Sequence, residues 1–393
     1  MTRVSHRLAA ISESATMAIT ARAAALKAAG EDVISFGAGE PDFPTPDHIV
    51  EAAIAAVRDP VNHHYTAAGG LADLREAVVA NAGQFSNLEI SPGQVVITNG
   101  GKQAVYTAFQ ALLDPGDEAL VPAPYWVTYP EAISLTGARA IEVPTTIDVG
   151  FKVTPEILER HRTAATKLLV FVSPSNPTGA VYDHAEVEAV ARWAADHGIW
   201  VVTDEIYQRL VYGDARFVSL PGAFPDLGDR WVVVSGVAKS YAMTGWRVGW
   251  LIGPPDVVSA SLKLQSHLTS NVANVSQRAA VAALTGSQDV VEEMRQAFDR
   301  RRRLAVKAIS EMSGVRCLEP QGAFYLFPDL SAFIGDRFRS SADLVAWILD
   351  EARVALVPGE GFGAPGYARL SYALADQDLA TGLERMGDAL ASL

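Results

Sequence analysis

The sequence predicts an α/β protein with a mostly parallel sheet flanked by helices, followed by a smaller α+β region. Three observations predict it. Seven short apolar runs recur between residues 95 and 253. Helical patterns separate most of them. From about residue 287 the texture shifts to a long charged helix and shorter strands.

In chain order the strand runs are VVIT (95–98), EALVP (118–122), RAIEVP (139–144), KLLVFV (167–172), IWVVT (199–203), WVVVS (231–235) and RVGWLIG (247–253). Their continuity, in place of period-2 alternation, predicts burial on both faces. Between them lie GKQAVYTAFQALL, WVTYPEAISLTG and AEVEAVARWAADHG. The last sets Ala185, Val187, Val190, Ala191 and Ala194 on one face and stops at Gly198, a residue suited to a helix end. Strand–helix–strand alternation implies a parallel sheet covered on both sides. The charged segment SQDVVEEMRQAFDRRRRLAVKAISEMSG then bridges to the strands VRCLEP, AFYLFP, VALVPG and YARLSYA and to two further helices.

Composition narrows the function. The 393 residues are 49% hydrophobic and 20% charged, with a formal net charge of −13. That excess disfavours nucleic acid and anionic membrane as partners, since both need a basic face. The basic run Arg300–Arg303 lies in a helix rich in Glu and Asp and reads as a solvated face. A single cysteine, Cys317, excludes an intrachain disulfide and predicts a small buried hydrophobe in a reducing compartment. No stretch reaches the roughly 18 apolar residues of a membrane span, and the N-terminus lacks a leader's apolar core. A cytoplasmic protein is expected.

In an open parallel sheet, ligands bind beyond the carboxyl ends of the strands. After VVIT comes NGGK, a helix start whose glycines and free N–H groups suit a phosphate. It is no Walker loop, because Val96 and Gln103 occupy that motif's first-glycine and Ser/Thr places. After KLLVFV, the turn SPSNPTG holds Asn176. IWVVT is followed by DEIY, with Asp204 ending an uncharged strand and Tyr207 three residues on. WVVVS is followed by GVAKSYAMTGWR, with Lys239 and Arg247. Taken singly, each has a plain structural reading: a glycine-relieved helix start, turn chemistry, an N-cap. No metal-ligand spacing and no GxSxG elbow occurs. A lone lysine opposite a carboxylate, beside an anion cradle, suits pyridoxal 5′-phosphate. Lysine condenses with an aldehyde, a carboxylate keeps the pyridine nitrogen protonated, and arginine grips a phosphate.

With these residues in place, the chain resembles the class I/II aminotransferases of pyridoxal-phosphate fold type I, most closely the prokaryotic aspartate aminotransferase subgroup. The stretches FGAGEPDFPTP, YTAAGGLADLREAV, TNGGKQAVYTAFQALLDPGDE, PAPYWVTYPE, SPSNPTGAVY, TDEIYQ, AKSYAMTGWRVG, PQGAFYLF and ARLSYA carry the likeness. The resemblance implies that Lys239 carries the cofactor, Asp204 meets its ring nitrogen, and Asn176 and Tyr207 meet its ring oxygen. Trp126 would stack on the ring, with Gly101, Lys102 and Arg247 near the phosphate. Tyr65 would reach the phosphate in a neighbouring subunit, making a homodimer with shared active sites. Gly39 and Arg369 would take the substrate's α-carboxylate, with Trp126 and Asn176 beside it. The implied division is an arm at 1–13, a small domain of 14–47 with 291–393, and a large cofactor-binding domain at 48–290.

One departure stands out. Many relatives carry a serine or threonine shortly before the lysine, where this chain has Gly236 and Val237, so phosphate binding is expected to lean on Ser235, the NGGK helix start and Arg247. The subgroup's dicarboxylate contacts fall on Ser14, Thr16 and Lys102, although Ser14 also reads as an N-cap. The implied reaction is ping-pong transfer of an amino group from aspartate or glutamate to 2-oxoglutarate. Aromatic amino acids, prephenate or alanine are alternative substrates, and a C–S β-lyase is an alternative reaction. A non-catalytic sensor module is disfavoured, because Lys239 is intact and no helix-turn-helix segment precedes residue 14.

Overall fold

The computed structural model describes residues 3–12 and 15–393. The strands are β1 (Ile34–Ser35), β2 (Val95–Thr98), β3 (Glu118–Ala123), β4 (Arg139–Pro144), β5 (Thr166–Val172), β6 (Trp200–Asp204), β7 (Trp231–Gly236), β8 (Gly249–Ile252), β9 (Tyr325–Leu326), β10 (Val354–Ala355), β11 (Val357–Pro358) and β12 (Ala368–Ser371). Seven of them form the main sheet in the order β2-β8-β7-β6-β5-β3-β4. The pairs β3–β4, β3–β5, β5–β6 and β6–β7 are parallel.

β8 alone in this sheet runs backwards, antiparallel to both β2 and β7. Gly249, its first residue, therefore pairs with Thr98 and Gly236, the last residues of β2 and β7. The reversal sets the start of β8 at the same edge as the carboxyl ends of its neighbours. The loop from β7 to β8 thus stays at that edge throughout.

β2 and β8 are buried at every position and β7 at all but its first, as continuous apolar runs require. β4 is not: it is the sheet's last strand, and Arg139, Glu142 and Pro144 face solvent. Helices cover both faces. Gly101–Leu112 buries Ala104, Val105, Ala108 and Leu112. His184–His197 starts with a capping box from Asp183 and Glu186 and ends at Gly198 in the left-handed region.

The C-terminal region packs a three-stranded antiparallel sheet, β11-β12-β9, and a parallel pair, β1–β10, against three long helices. β1 comes from the N-terminal part of the chain, so Ile34 and Phe36 share a core with Phe298, Phe324 and Leu370. The expected strand VRCLEP contributes only an isolated bridge, Arg316 to Asp329.

The basic run also departs from expectation. Arg300 and Arg303 are exposed, but Arg301 and Arg302 are each only 7% exposed. The Asp289–Ser310 helix buries Met294, Ala297, Phe298, Ala305 and Ile309, and positions 301 and 302 fall on that stripe. Burial of the two cations is compensated by ion pairs. Arg301 donates to Asp42 at 2.8 Å and Asp376 at 2.7 Å, and Arg302 pairs with Asp299 and Glu319. Cys317 is half-buried against the same core, and burial pushes its thiol up to about 12.

Where β8 begins, backbones meet without room for a side chain. A Cβ on Gly249 would lie 2.5 Å from Gly100 C and Gly101 N and 2.9 Å from Ser235 O. Gly249→Ala should cost about 1–3 kcal/mol or more through overpacking. A Cβ on Gly335 meets nothing within 4 Å, so Gly335→Ala should stay within about 0.5 kcal/mol of the parent. Urea unfolding of both variants measures the contrast.

Candidate active site

The carboxyl edge of the main sheet faces the C-terminal region across a cavity of about 500 Å³. β6 ends in Asp204. The loop after β7 brings Lys239 and, because β8 is reversed, Arg247. The Gly101–Leu112 helix presents Gly101 and Lys102, and the segment before the Thr128–Ser134 helix presents Trp126. The turn after β5 places Asn176 there, β12 supplies Arg369, and the segment after β1 supplies Gly39 and Glu40.

Arg369 lies between these parts. It is 1% exposed. Nη1 donates to Asn176 Oδ1 at 3.1 Å and Nη2 to the Gly37 carbonyl at 2.9 Å. The guanidinium also lies 4.5 Å from the centre of the Tyr325 ring. Its Nε is buried with no hydrogen-bond partner among the described residues. A buried cation with a free donor favours an anion in the cavity.

Lys239 donates from Nζ to the Gly39 carbonyl at 2.5 Å. Burial, and after it the charge of Arg369, lowers its amine to about 8. Arg247 pushes in the same direction, against Glu40 and Asp204. A lysine so placed is a nucleophile and base close to neutral pH.

Asp204 has no cation in hydrogen-bonding contact. Oδ2 accepts from Tyr129 Oη at 2.8 Å and Oδ1 from the Ile206 N–H at 3.1 Å. Burial raises its carboxyl above the ordinary value, opposed by these two donors and by Lys239. Tyr207 exchanges a hydrogen bond with Tyr325 at 2.9 Å, and burial holds its phenol protonated far above the usual range. It therefore acts as a donor.

Arg247 sits in the left-handed region at φ 57° and donates to the Thr244 carbonyl at 2.7 Å. Gly100, at φ 82°, lets its guanidinium approach: a Cβ there would lie 2.5 Å from Arg247 Nη2. The first N–H groups of the Gly101–Leu112 helix open beside this arginine. Lys102 is solvent-exposed at the cavity rim, 5.1 Å from the Trp126 ring centre, and partial desolvation followed by the charge of Arg247 lowers its pKa.

Two expected residues stand apart. Ser235 points its hydroxyl to the Glu205 carbonyl at 3.4 Å and does not line the cavity. Nor does Gly236 leave room for a hydroxyl, since a Cβ would lie 2.9 Å from Gly249 Cα and Val248 O. Tyr65 is 91% exposed and outside the cavity. Ser14 lies outside the described residues, as does the side chain of Thr16. Residues unremarked in the sequence join the site: Tyr129, Tyr325, Glu40 and Thr244. The aromatic ladder Trp126–Tyr129, three residues apart at a helix start and edge-on at 5.3 Å, is the signal that marks Tyr129.

The sequence profile of the family "Aminotransferase class I and II" matches residues 31–386. The chain is 57% identical over 389 residues to an aspartate aminotransferase of Streptomyces avermitilis, covering 98% of this chain and 95% of the relative. It is 45% identical to an aspartate aminotransferase of Geobacillus stearothermophilus, covering 98% of each. Among solved structures it resembles the aspartate aminotransferase from Thermus thermophilus with maleate. The TM-score is 0.93 at 39% identity, over 99% of this chain and all of that one.

The electrostatics of the cavity are open to direct titration. The neutral amine is the reactive form, so amine-specific labelling of Lys239 should rise with pH through a midpoint of about 8. Ordinary lysines label with a midpoint near ~10.4. Arg369→Leu removes the second-largest cause of the depression and should move the Lys239 midpoint upward. Peptide mass spectrometry across pH reads both.

Proposed function

The chain belongs to the class I and II aminotransferases, and from that premise we propose that it moves the amino group of aspartate or glutamate onto a 2-oxo acid, 2-oxoglutarate being the usual acceptor. The family's cofactor is pyridoxal 5′-phosphate, and the residues present fit it. A glycine cradle beside Arg247 opens at a helix N-terminus, as a phosphate needs. Asp204 is a buried carboxyl free of any cation, and Lys239 is an amine already lowered to about 8. When bound, this cofactor supplies an aldehyde that condenses with amines and a ring that withdraws electrons from the adjoining carbon.

The chain's own residues divide the remaining work. Lys239 Nζ takes the proton from the substrate's Cα and returns it in the reverse half-reaction. Asp204 would hold a proton on the ring nitrogen, its orientation fixed by Tyr129 and the Ile206 N–H. Tyr207 Oη and Asn176 Nδ2 would donate to the ring oxygen. Gly101, Lys102 and Arg247 would hold the phosphate, and Trp126 would hold the ring. Arg369 takes the α-carboxylate beside Gly39. The observation that carries the reading is this buried arginine with a free donor, set with the lowered lysine in one cavity.

A side-chain carboxylate calls for a second cation. Lys102 stands at the Trp126 side of the cavity and supplies one, with Ser14 and Thr16 as further contacts. The similar Thermus thermophilus aspartate aminotransferase is a structure with maleate, a dicarboxylate, and supports the same preference. The active form is proposed to be a homodimer. Tyr65, with exposed Val57 and Val61 nearby in sequence, offers a surface for a second copy and reaches that copy's phosphate. The division into 48–290 and a unit of 14–47 with 291–393, and a cytoplasmic location, belong to the same proposal. Among the described residues no helix is long and apolar enough to cross a membrane.

Aspartate with 2-oxoglutarate should yield glutamate, and Lys239→Ala should cut kcat by about 10⁴-fold or more. Lys102→Ala should raise KM for aspartate roughly 10- to 100-fold, the worth of a charged hydrogen bond, and change KM for alanine far less. A panel of amino donors ranked by kcat/KM, including aromatic amino acids, with prephenate as an acceptor, decides the substrate. Pyruvate from cystathionine, with no glutamate from aspartate, would sink the transaminase reading.

A further inference from the structure

Directly behind Asp204 lies a second acid that the reaction as described does not use. Glu205 is 1% exposed and has no cation in contact. β6 ends at Asp204, which lines the cavity, whereas the next residue, Glu205, lies outside it and turns to Ser86 and Ser219. Its Oε1 accepts from Ser219 Oγ at 2.7 Å, and Oε2 lies 3.0 Å from Ser86 Oγ. Ser86 Oγ is also 3.2 Å from Gln208 Oε1, and Gln208 Nε2 donates to Asn81 Oδ1 at 3.1 Å.

With the Gln208 and Asn81 amides oriented as they are, hydrogen accounting favours a neutral group. Ser86 has one hydroxyl proton and two oxygen neighbours, Glu205 Oε2 and Gln208 Oε1. With an ionised Glu205, that proton serves one oxygen and leaves the other facing Ser86 Oγ with no hydrogen between them. The ionised form would also leave a buried carboxylate without a countercharge. A proton on Oε2 satisfies the whole chain: Glu205 donates to Ser86, Ser86 to Gln208, and Gln208 to Asn81.

We propose that Glu205 is a positioning residue that carries a proton in the folded protein, and that its ionisation sets the negative charge Asp204 presents to the cavity. The groups around it agree. Ser86 and Asn81 come from the Ala72–Ser86 helix, Ser219 precedes the Leu220–Ala223 helix, and all are neutral. The nearest arginine in sequence, Arg209, is committed elsewhere: it lies 4.1 Å from the Phe85 ring centre and donates to Gln288 at 3.0 Å. Burial pushes the Glu205 carboxyl up to about 7, with the Asp204 charge adding to the rise and the hydroxyls of Ser219, Ser86 and Thr203 opposing it. One peptide bond separates the two acids, and the Glu205 N–H is tied to Val234 O at 2.9 Å, so a charge on Glu205 acts on Asp204 through a fixed frame. The proton on Glu205 stands independently of the reaction; its effect on the cofactor rests on the function proposed above.

Glu205→Gln copies the neutral acid, with an amide N–H for Ser86 and a carbonyl for Ser219. The folded wild type holds its proton to about 7 and the unfolded chain only to 4.5. Wild-type stability relative to Glu205→Gln should therefore be greatest below pH 4.5, fall as pH rises through this window, and level off above 7. The fall should amount to about 300-fold in the unfolding equilibrium constant. Urea unfolding of the cofactor-free proteins reads it; a difference independent of pH, or one that grows with pH, overturns the proton. Infrared spectra of ¹³C-glutamate-labelled wild type need no variant: at pH 6 a protonated carboxyl band should persist and vanish well above pH 7. Its absence at pH 6 overturns the proposal equally. With pyridoxal phosphate added, the absorbance of bound cofactor should show an inflection near pH 7 that Glu205→Gln removes. Identical titrations overturn the positioning role. A protein that shows the infrared band but binds no cofactor overturns the function proposed above and leaves the proton on Glu205 standing.

Discussion

The site depends on the burial of one cation. Arg369 is taken out of water on β12 and bound by acceptors from two other parts of the chain, the Gly37 carbonyl and the Asn176 side chain. A guanidinium at 1% exposure demands such partners, and the demand draws the segment after β1 and the turn after β5 toward β12. The same charge depresses Lys239, second only to burial itself. One buried group thus both leaves a free donor in the cavity and depresses the lysine. The pair Arg301–Asp42, on the other side of the segment, anchors it to the long Asp289–Ser310 helix.

The second constraint is the direction of β8. Were β8 parallel to its neighbours, its first residues would lie at the far edge of the sheet, and Arg247 with them. Reversal keeps Arg247 at the edge where Lys239 already stands. It also presses Gly249 onto Gly100 and Gly101, so the helix start that faces an anion is set by backbone contact. The close approach that forbids a Cβ at Gly236 and Gly249 accounts for the missing hydroxyl before Lys239. At this end of the cavity the lining groups are Arg247, Lys102 and the helix start at Gly101.

Charge in the cavity is unequal by construction. Lys102, Lys239, Arg247 and Arg369 face Asp204 and Glu40. Such a site attracts anionic ligands and lowers its own lysines. Asp204 resists this field because Tyr129 and a backbone N–H, not a cation, hold it, and that leaves its charge for a ligand.

Much of this was legible from residue order alone. Period and turn chemistry located all seven main strands and the chemical residues at their ends, since continuous apolar runs and strand-end polar groups are local features. Lys239, Asp204, Asn176, Tyr207, Arg247 and Arg369 all stand out in the sequence and meet in one cavity. What sequence could not determine depends on partners distant along the chain. The run Arg300–Arg303 looks uniformly solvated until Asp42 and Asp376 are brought beside it. Where the Ser235 hydroxyl points, to the Glu205 carbonyl, follows from strand pairing and not from its place before Lys239. VRCLEP looks like a strand until its neighbours leave it a single bridge. Tyr129 meets Asp204, Tyr325 meets Tyr207 and Ser86 meets Glu205 only once elements 75, 118 and 119 residues apart are packed together. Local periodicity is set by each residue's neighbours along the chain, whereas burial, ionisation and hydrogen-bond direction are set by its neighbours in space.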